Sequence, residues 1–70
     1  MTITGTLTQR TEHSSGQSKR ELFSIDVGAL RLYTADRHKW SDTAAMLNKQ
    51  VRVEYFHNTN KDFFWKVELA

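Results

Sequence analysis

Apolar and polar residues alternate along most of this chain, the pattern of strands that bury one face. Ile3, Gly5 and Leu7 fall on one side of the opening segment, and Thr4, Thr6 and Thr8 fall on the other. Gly5 on the inner side predicts a bend or a close backbone approach. Phe23, Ile25 and Val27 alternate with Leu22, Ser24 and Asp26, and Gly28 follows as a turn or bulge residue. Leu30 and Leu32 then alternate with Arg31 and Tyr33. Between the first two strands runs "EHSSGQSKR", Glu12 to Arg20, with the Ser, Gly and charge of a loop.

The period changes between Ala35 and Gln50. Ser41 is a helix-capping residue type, and Asp42 then stands at the positive end of the helix dipole. The spacing predicts a helix of about two turns over "DTAAMLNK", with Ala45, Met46 and Leu47 turned inward and Asn48 as the stop. Trp40, just before it, is expected to seal one end of the core.

The last two strands hold five of the eight aromatic residues, in "YFHNTNKDFFW". Val51, Val53 and Tyr55 alternate with Arg52, Glu54 and Phe56. Phe63, Trp65, Val67 and Leu69 alternate with Phe64, Lys66 and Glu68. A regular hairpin with Thr59 at its tip pairs Tyr55 with Phe63, Val53 with Trp65 and Val51 with Val67. A slip by one residue would put Val53 opposite Lys66. The expectation is therefore that Tyr55, Phe63 and Trp65 are core aromatics. Arg52 then opposes Lys66, Glu54 opposes Phe64, and Phe56 lies opposite Asp62, all on the outer face.

The resulting order is mainly β: five strands, with one short helix between strands 3 and 4. This layout resembles the OB-fold, a five-stranded Greek-key barrel. The inner Gly5, "FSIDVGALRLY" for strands 2 and 3, and "LNKQVRVEYF" leading into strand 4 carry the resemblance, which covers residues 1–70 as a single OB-like domain. In length and layout the chain is similar to bacterial translation initiation factor one and the cold-shock proteins. Ser24 and Asp26 stand where the cold-shock proteins carry aromatic residues, so no site residue is carried over. An SH3-like barrel or an α+β roll is the rival architecture, and the helix favours the OB-like one.

Composition narrows the chemistry. There is no cysteine, which removes disulfides, thiolate metal sites and thiol nucleophiles and is compatible with a reducing cytoplasm. No secretory leader pattern and no apolar run of membrane-spanning length are present. Ten Lys and Arg against eight Asp and Glu give a net charge of +2, a mild tilt toward anionic partners. Phosphate loops, nucleophile elbows and zinc spacings are all missing. His13, His38 and His57 lie in or near loops, where a solvated histidine is the ordinary case. The Asp36, His38 and Asp42 group lacks a nucleophile. No catalytic residue, metal or cofactor is therefore assigned, and the expectation is a binding module, not an enzyme.

Two partners fit such a module. An OB-like barrel resembles single-stranded DNA- and RNA-binding proteins that use the strand 2–3 face and the flanking loops. On that reading Lys19 and Arg20 in the first loop, Arg31 and Tyr33 on the sheet, and Lys61 in the last hairpin contact the nucleic acid. The alternative is a protein partner, with the module acting as adaptor, subunit or inhibitor, of host, phage or plasmid origin, or pairing as a homodimer. Arg52, Phe56, Phe64 and Lys66 would then form a mixed aromatic and basic patch, the composition favoured at interfaces.

Overall fold

The computed structural model describes residues 1–13 and 21–70. Its elements are β1 (Thr2–His13), β2 (Leu22–Val27), β3 (Leu30–Thr34), helix α1 (Arg37–Asp42) running into a 3₁₀ turn (Thr43–Met46), β4 (Gln50–Asn58) and β5 (Lys61–Leu69). The strands form a ring closed by hydrogen bonds in the order β1-β2-β3-β5-β4. Closure depends on the length of β1. Its first half pairs antiparallel with β4, Thr2 to Thr6 against Glu54 to Gln50, and its second half pairs with β2. Only β3 and β5 run parallel, through Leu32–Asp62 and Tyr33–Phe63.

The strand must bend to serve two neighbours, and Gly5 and Thr8 supply the bend. A Cβ on Gly5 would stand 3.4 Å from the Gly28 nitrogen and 3.5 Å from Val27. The sequence expectation of a close backbone approach is met there, and the Gly28 N–H donates to the Thr6 carbonyl at 3.3 Å. Thr8 is an extra residue between the Leu7–Val27 and Gln9–Asp26 pairs, a bulge that raises the local twist.

The inner face carries the core that the alternation predicts. Leu7, Phe23, Ile25, Val27, Leu32, Val51 and Val53 are fully buried. The helix closes one end, one turn earlier than expected. Asp36, not Ser41, is its cap, accepting from the His38 and Lys39 N–H groups at 2.9 and 3.1 Å. Asp36, which the sequence groups with His38 and Asp42, is thereby used to satisfy orphan helix donors. Asn48 ends the segment with φ 67°, the left-handed conformation asparagine tolerates. Trp40 seals the end as expected: its ring stacks on Phe23 at 4.8 Å, and its Nε1 donates to the Ser24 carbonyl at 3.1 Å. Arg10 lies over the Trp40 ring at 4.2 Å and donates to Thr43 Oγ1 at 2.9 Å and the Trp40 carbonyl at 3.0 Å, so its half-buried charge keeps its hydrogen bonds.

The last hairpin departs from the expected register. Its turn is the two residues Thr59 and Asn60, so Asn58 pairs with Lys61, Phe56 with Phe63 and Tyr55 with Phe64. Trp65 is then an extra residue on β5, and beyond it Glu54 pairs with Lys66, Arg52 with Glu68 and Val53 with Val67. The bulge turns Phe64 inward, where it is 3% exposed, and Trp65 outward, where it is 50% exposed. Trp65 is therefore not a core residue and Phe64 is not a surface one. Phe63 also leaves the core face, while Tyr55 stays packed against the core. The regular register would also oppose Arg52 to Lys66. The bulged one joins Arg52 Nε to Glu68 at 3.0 Å and sets Lys66 3.7 Å from Glu54.

The two registers predict opposite costs for adjacent residues. Phe64→Ala is expected to lose about 3–5 kcal/mol by chemical denaturation, and Trp65→Ala less than about 1 kcal/mol. Equal losses, or the reverse order, would contradict the bulged pairing.

Candidate functional site

Tyr33 lies between Leu32 and Thr34, which are both buried, so strand geometry turns its ring to the outer face. Three neighbours meet it there. The parallel pairing of β3 with β5 sets Phe63 beside it, with ring centroids 6.4 Å apart. The hairpin register sets Phe56 beside Phe63 at 5.9 Å, nearly parallel at 23°. On the other flank the His13 ring lies 5.6 Å from Tyr33. His13 Nε2 is 2.8 Å from the hydroxyl of buried Ser24, the residue cross-paired with Tyr33, and this contact holds the imidazole down on the sheet.

His13, Tyr33, Phe63 and Phe56 thus form one row of rings across β1, β3, β5 and β4. Phe56 is 47% exposed, and Tyr33 and Phe63 are half-buried with their flanks packed on one another. In a row of this kind the rings hold each other in place and leave part of their surface to solvent.

Charge is distributed unevenly along the row. Lys61 sits two residues before Phe63 on the same face, with its ammonium 5.6 Å from the Tyr33 ring centroid. Among the described residues Lys61 makes no ion pair. Arg31, two residues before Tyr33, is held by Asp26 through Nε–Oδ1 at 2.9 Å and a second contact at 3.4 Å. That bond, more than the charge attraction accompanying it, raises the Arg31 pKa, so the guanidinium is charged but neutralised by its neighbour. Two depressions flank the row. One of about 430 Å³ lies beside Asp26, Arg31 and Tyr33, and one of about 220 Å³ lies at the hairpin tip beside Asn58, Asn60 and Phe63.

The residues expected to bind nucleic acid come together in part. Arg31, Tyr33 and Lys61 share this face, whereas Lys19 and Arg20 lie outside the described residues. The expected protein patch does not assemble. Phe64 is in the core, Arg52 is bonded to Glu68, Lys66 faces Glu54, and Phe56 belongs to the ring row. The row's other members, His13 and Phe63, were missed because one looked like a loop residue and the other like core. The two-residue reading of the Thr59-Asn60 turn was the available signal, since it alone sets Phe56 opposite Phe63.

A second exposed ring, Trp65, lies elsewhere, in a depression of about 220 Å³ between the helix and β5 that Met46 and Val67 also line. Lys39 Nζ donates to its carbonyl at 2.8 Å. Among the described residues no group of three His, Asp or Glu side chains is arranged to hold a metal. Among the described residues no helix is long and apolar enough to cross a membrane. Searches among protein-family models, curated proteins and solved structures find no match to this chain.

Two surface ion pairs contribute to the acid response. Arg37 bonds Glu21 at 2.6 Å and Glu12 at 3.2 Å, and its hydrogen bond holds Glu21 below the ordinary carboxylate value of 4.5. The bond from Arg52, followed by the charge of Lys66, does the same for Glu68. A carboxylate with a lowered folded-state pKa stabilises the fold above its unfolded value and loses that contribution as pH falls through the folded one. From these two groups the melting temperature is expected to be flat above about pH 5 and to fall below it. In the double variant Glu21→Gln, Glu68→Gln the fall should be shallower, and an unchanged slope would contradict the assignment.

Proposed function

We propose that this chain is a non-catalytic, OB-type barrel that binds single-stranded nucleic acid across the row His13, Tyr33, Phe63 and Phe56. The fold part of this reading is supported by the strand order β1-β2-β3-β5-β4, with β1 shared by two neighbours, β3 parallel to β5, and a helix between β3 and β4. The function is carried by the row itself. Rings spaced 5.6–6.4 Å apart suit the bases of an extended strand, whereas a strand in a stacked duplex rises about 3.4 Å per nucleotide. Every base has a π-face, so such a platform accepts many sequences.

The magnitudes favour stacking over charge. Each base–ring stack contributes about 1–3 kcal/mol. With Arg31 neutralised by Asp26, Lys61 is the cation on the described face with no acid beside it. Three stacks toward the upper end of that range, with the Lys61 phosphate contact, reach the roughly 8 kcal/mol of a micromolar complex. A cytoplasmic location belongs to the same reading. Protein binding through the Trp65 depression is the second reading, favoured by a half-exposed tryptophan on the bulge.

Fluorescence anisotropy of labelled single-stranded DNA and RNA at two salt concentrations tests the proposal. Tyr33→Ala and Phe56→Ala should each weaken binding by about 1–3 kcal/mol, and Trp65→Ala should leave it unchanged. Asp26→Asn should tighten binding and steepen its salt dependence by about one phosphate contact, because it releases Arg31. Absence of binding at low salt, or loss only in Trp65→Ala, would refute the reading.

A further inference from the structure

We infer that the hairpin tip at the end of the ring row is a base-reading pocket that takes one nucleotide base, with guanine preferred. The inference rests on the single-strand reading above and adds sequence preference to it. The pocket measures about 220 Å³ and is lined by Asn58, Thr59, Asn60, Lys61 and Phe63. It lies on the same face as the row, because Asn58 follows Phe56 by two positions and Lys61 precedes Phe63 by two. Phe63 is thus shared: it ends the pocket on one side and continues the stacking row on the other.

The other lining groups are polar, and donors outnumber acceptors. Asn58 Oδ1 accepts from the Thr59 hydroxyl at 3.3 Å, which turns that oxygen toward the turn and the amide NH₂ outward as a donor. The Lys61 ammonium adds a second donor, held near the Tyr33 ring at 5.6 Å from its centroid. Asn60 offers a donor and an acceptor on an exposed side chain. Turn stability alone does not select this composition. Thr59 has φ 58°, where a β-branched residue is disfavoured and glycine or asparagine is at ease. The strained position keeps the hydroxyl that orients the Asn58 amide.

The base follows from this donor pattern. Guanine presents two adjacent acceptors, O6 and N7, on one edge, matching the Asn58 amide and the Lys61 ammonium. Adenine replaces O6 with an amino donor, so that edge offers the Asn58 amide and the Lys61 ammonium one acceptor instead of two. The Watson–Crick edge of guanine carries donors that the Asn60 oxygen can accept, and unpaired bases are commonly read on both edges. A pyrimidine covers less of Phe63.

The test is competition anisotropy with short oligothymidylates that carry a single guanine at each position in turn. One position near an end of the bound segment should bind about tenfold more tightly than the all-thymine strand, and adenine there should not. In Asn58→Ala and Asn60→Ala the ratio of guanine-containing to all-thymine affinity should drop toward one. Binding within twofold for every base at every position would overturn the pocket and leave the stacking row standing. A preference for another base would overturn the guanine assignment. If no strand binds at all, the pocket and the single-strand reading fall together.

Discussion

The odd residue at Trp65 is the constraint on which the outer surface depends. Phe64 and Val67 must both face the core, yet they are separated by three positions, and an unbroken strand would put them on opposite faces. One extra residue resolves the conflict, so Phe64 reaches the interior and Val67 stays beside Val53. The consequences spread outward. Phe63 and Phe56 are turned to one face, Arg52 and Lys66 are given acidic partners, and Trp65 is expelled to solvent. Core packing drives this arrangement, since burying a phenylalanine side chain contributes about 1.5–3 kcal/mol and an exposed ion pair at most about 1.

The bulge would have no such effect on Tyr33 without ring closure. A 70-residue chain without cysteine has little core and no covalent staple. Closing the strands into a ring pairs their edges and surrounds the core with backbone hydrogen bonds. It also brings residues distant in sequence together, since β3 reaches β5 through only two parallel pairs and one of them is Tyr33–Phe63. The ring row therefore exists only in the folded chain. It joins strands that no local segment contains.

That explains which features could be read from the sequence. The inward residues of β2, β3, the first half of β4 and β1 as far as Leu7 were legible, because the apolar positions alternate there through Leu7, Phe23, Ile25, Val27, Leu32, Val51 and Val53. Gly5 was legible for the same reason, as a missing side chain on a face that otherwise packs. The final hairpin was not. With aromatics at Tyr55, Phe56, Phe63, Phe64 and Trp65, nearly every register buries some rings, and only the charges at Arg52, Glu54, Lys66 and Glu68 separate one from another. The helix start was misplaced because Ser41 and Asp36 are both capping residue types, and the choice of Asp36 follows from where β3 ends. Tyr33 could be identified as outward. Its partners Phe63 and His13 could not, because cross-strand neighbours depend on topology.

The proposed role of the outer face of this ring is that of one continuous aromatic platform for a single strand. A titration of the isotope-labelled protein with a short oligothymidylate, followed residue by residue by NMR, tests it most directly. Shifts should concentrate at His13, Tyr33, Phe56, Lys61 and Phe63 and stay small around Met46 and Trp65. Shifts centred on Trp65 and the helix, with the ring row undisturbed, would contradict it.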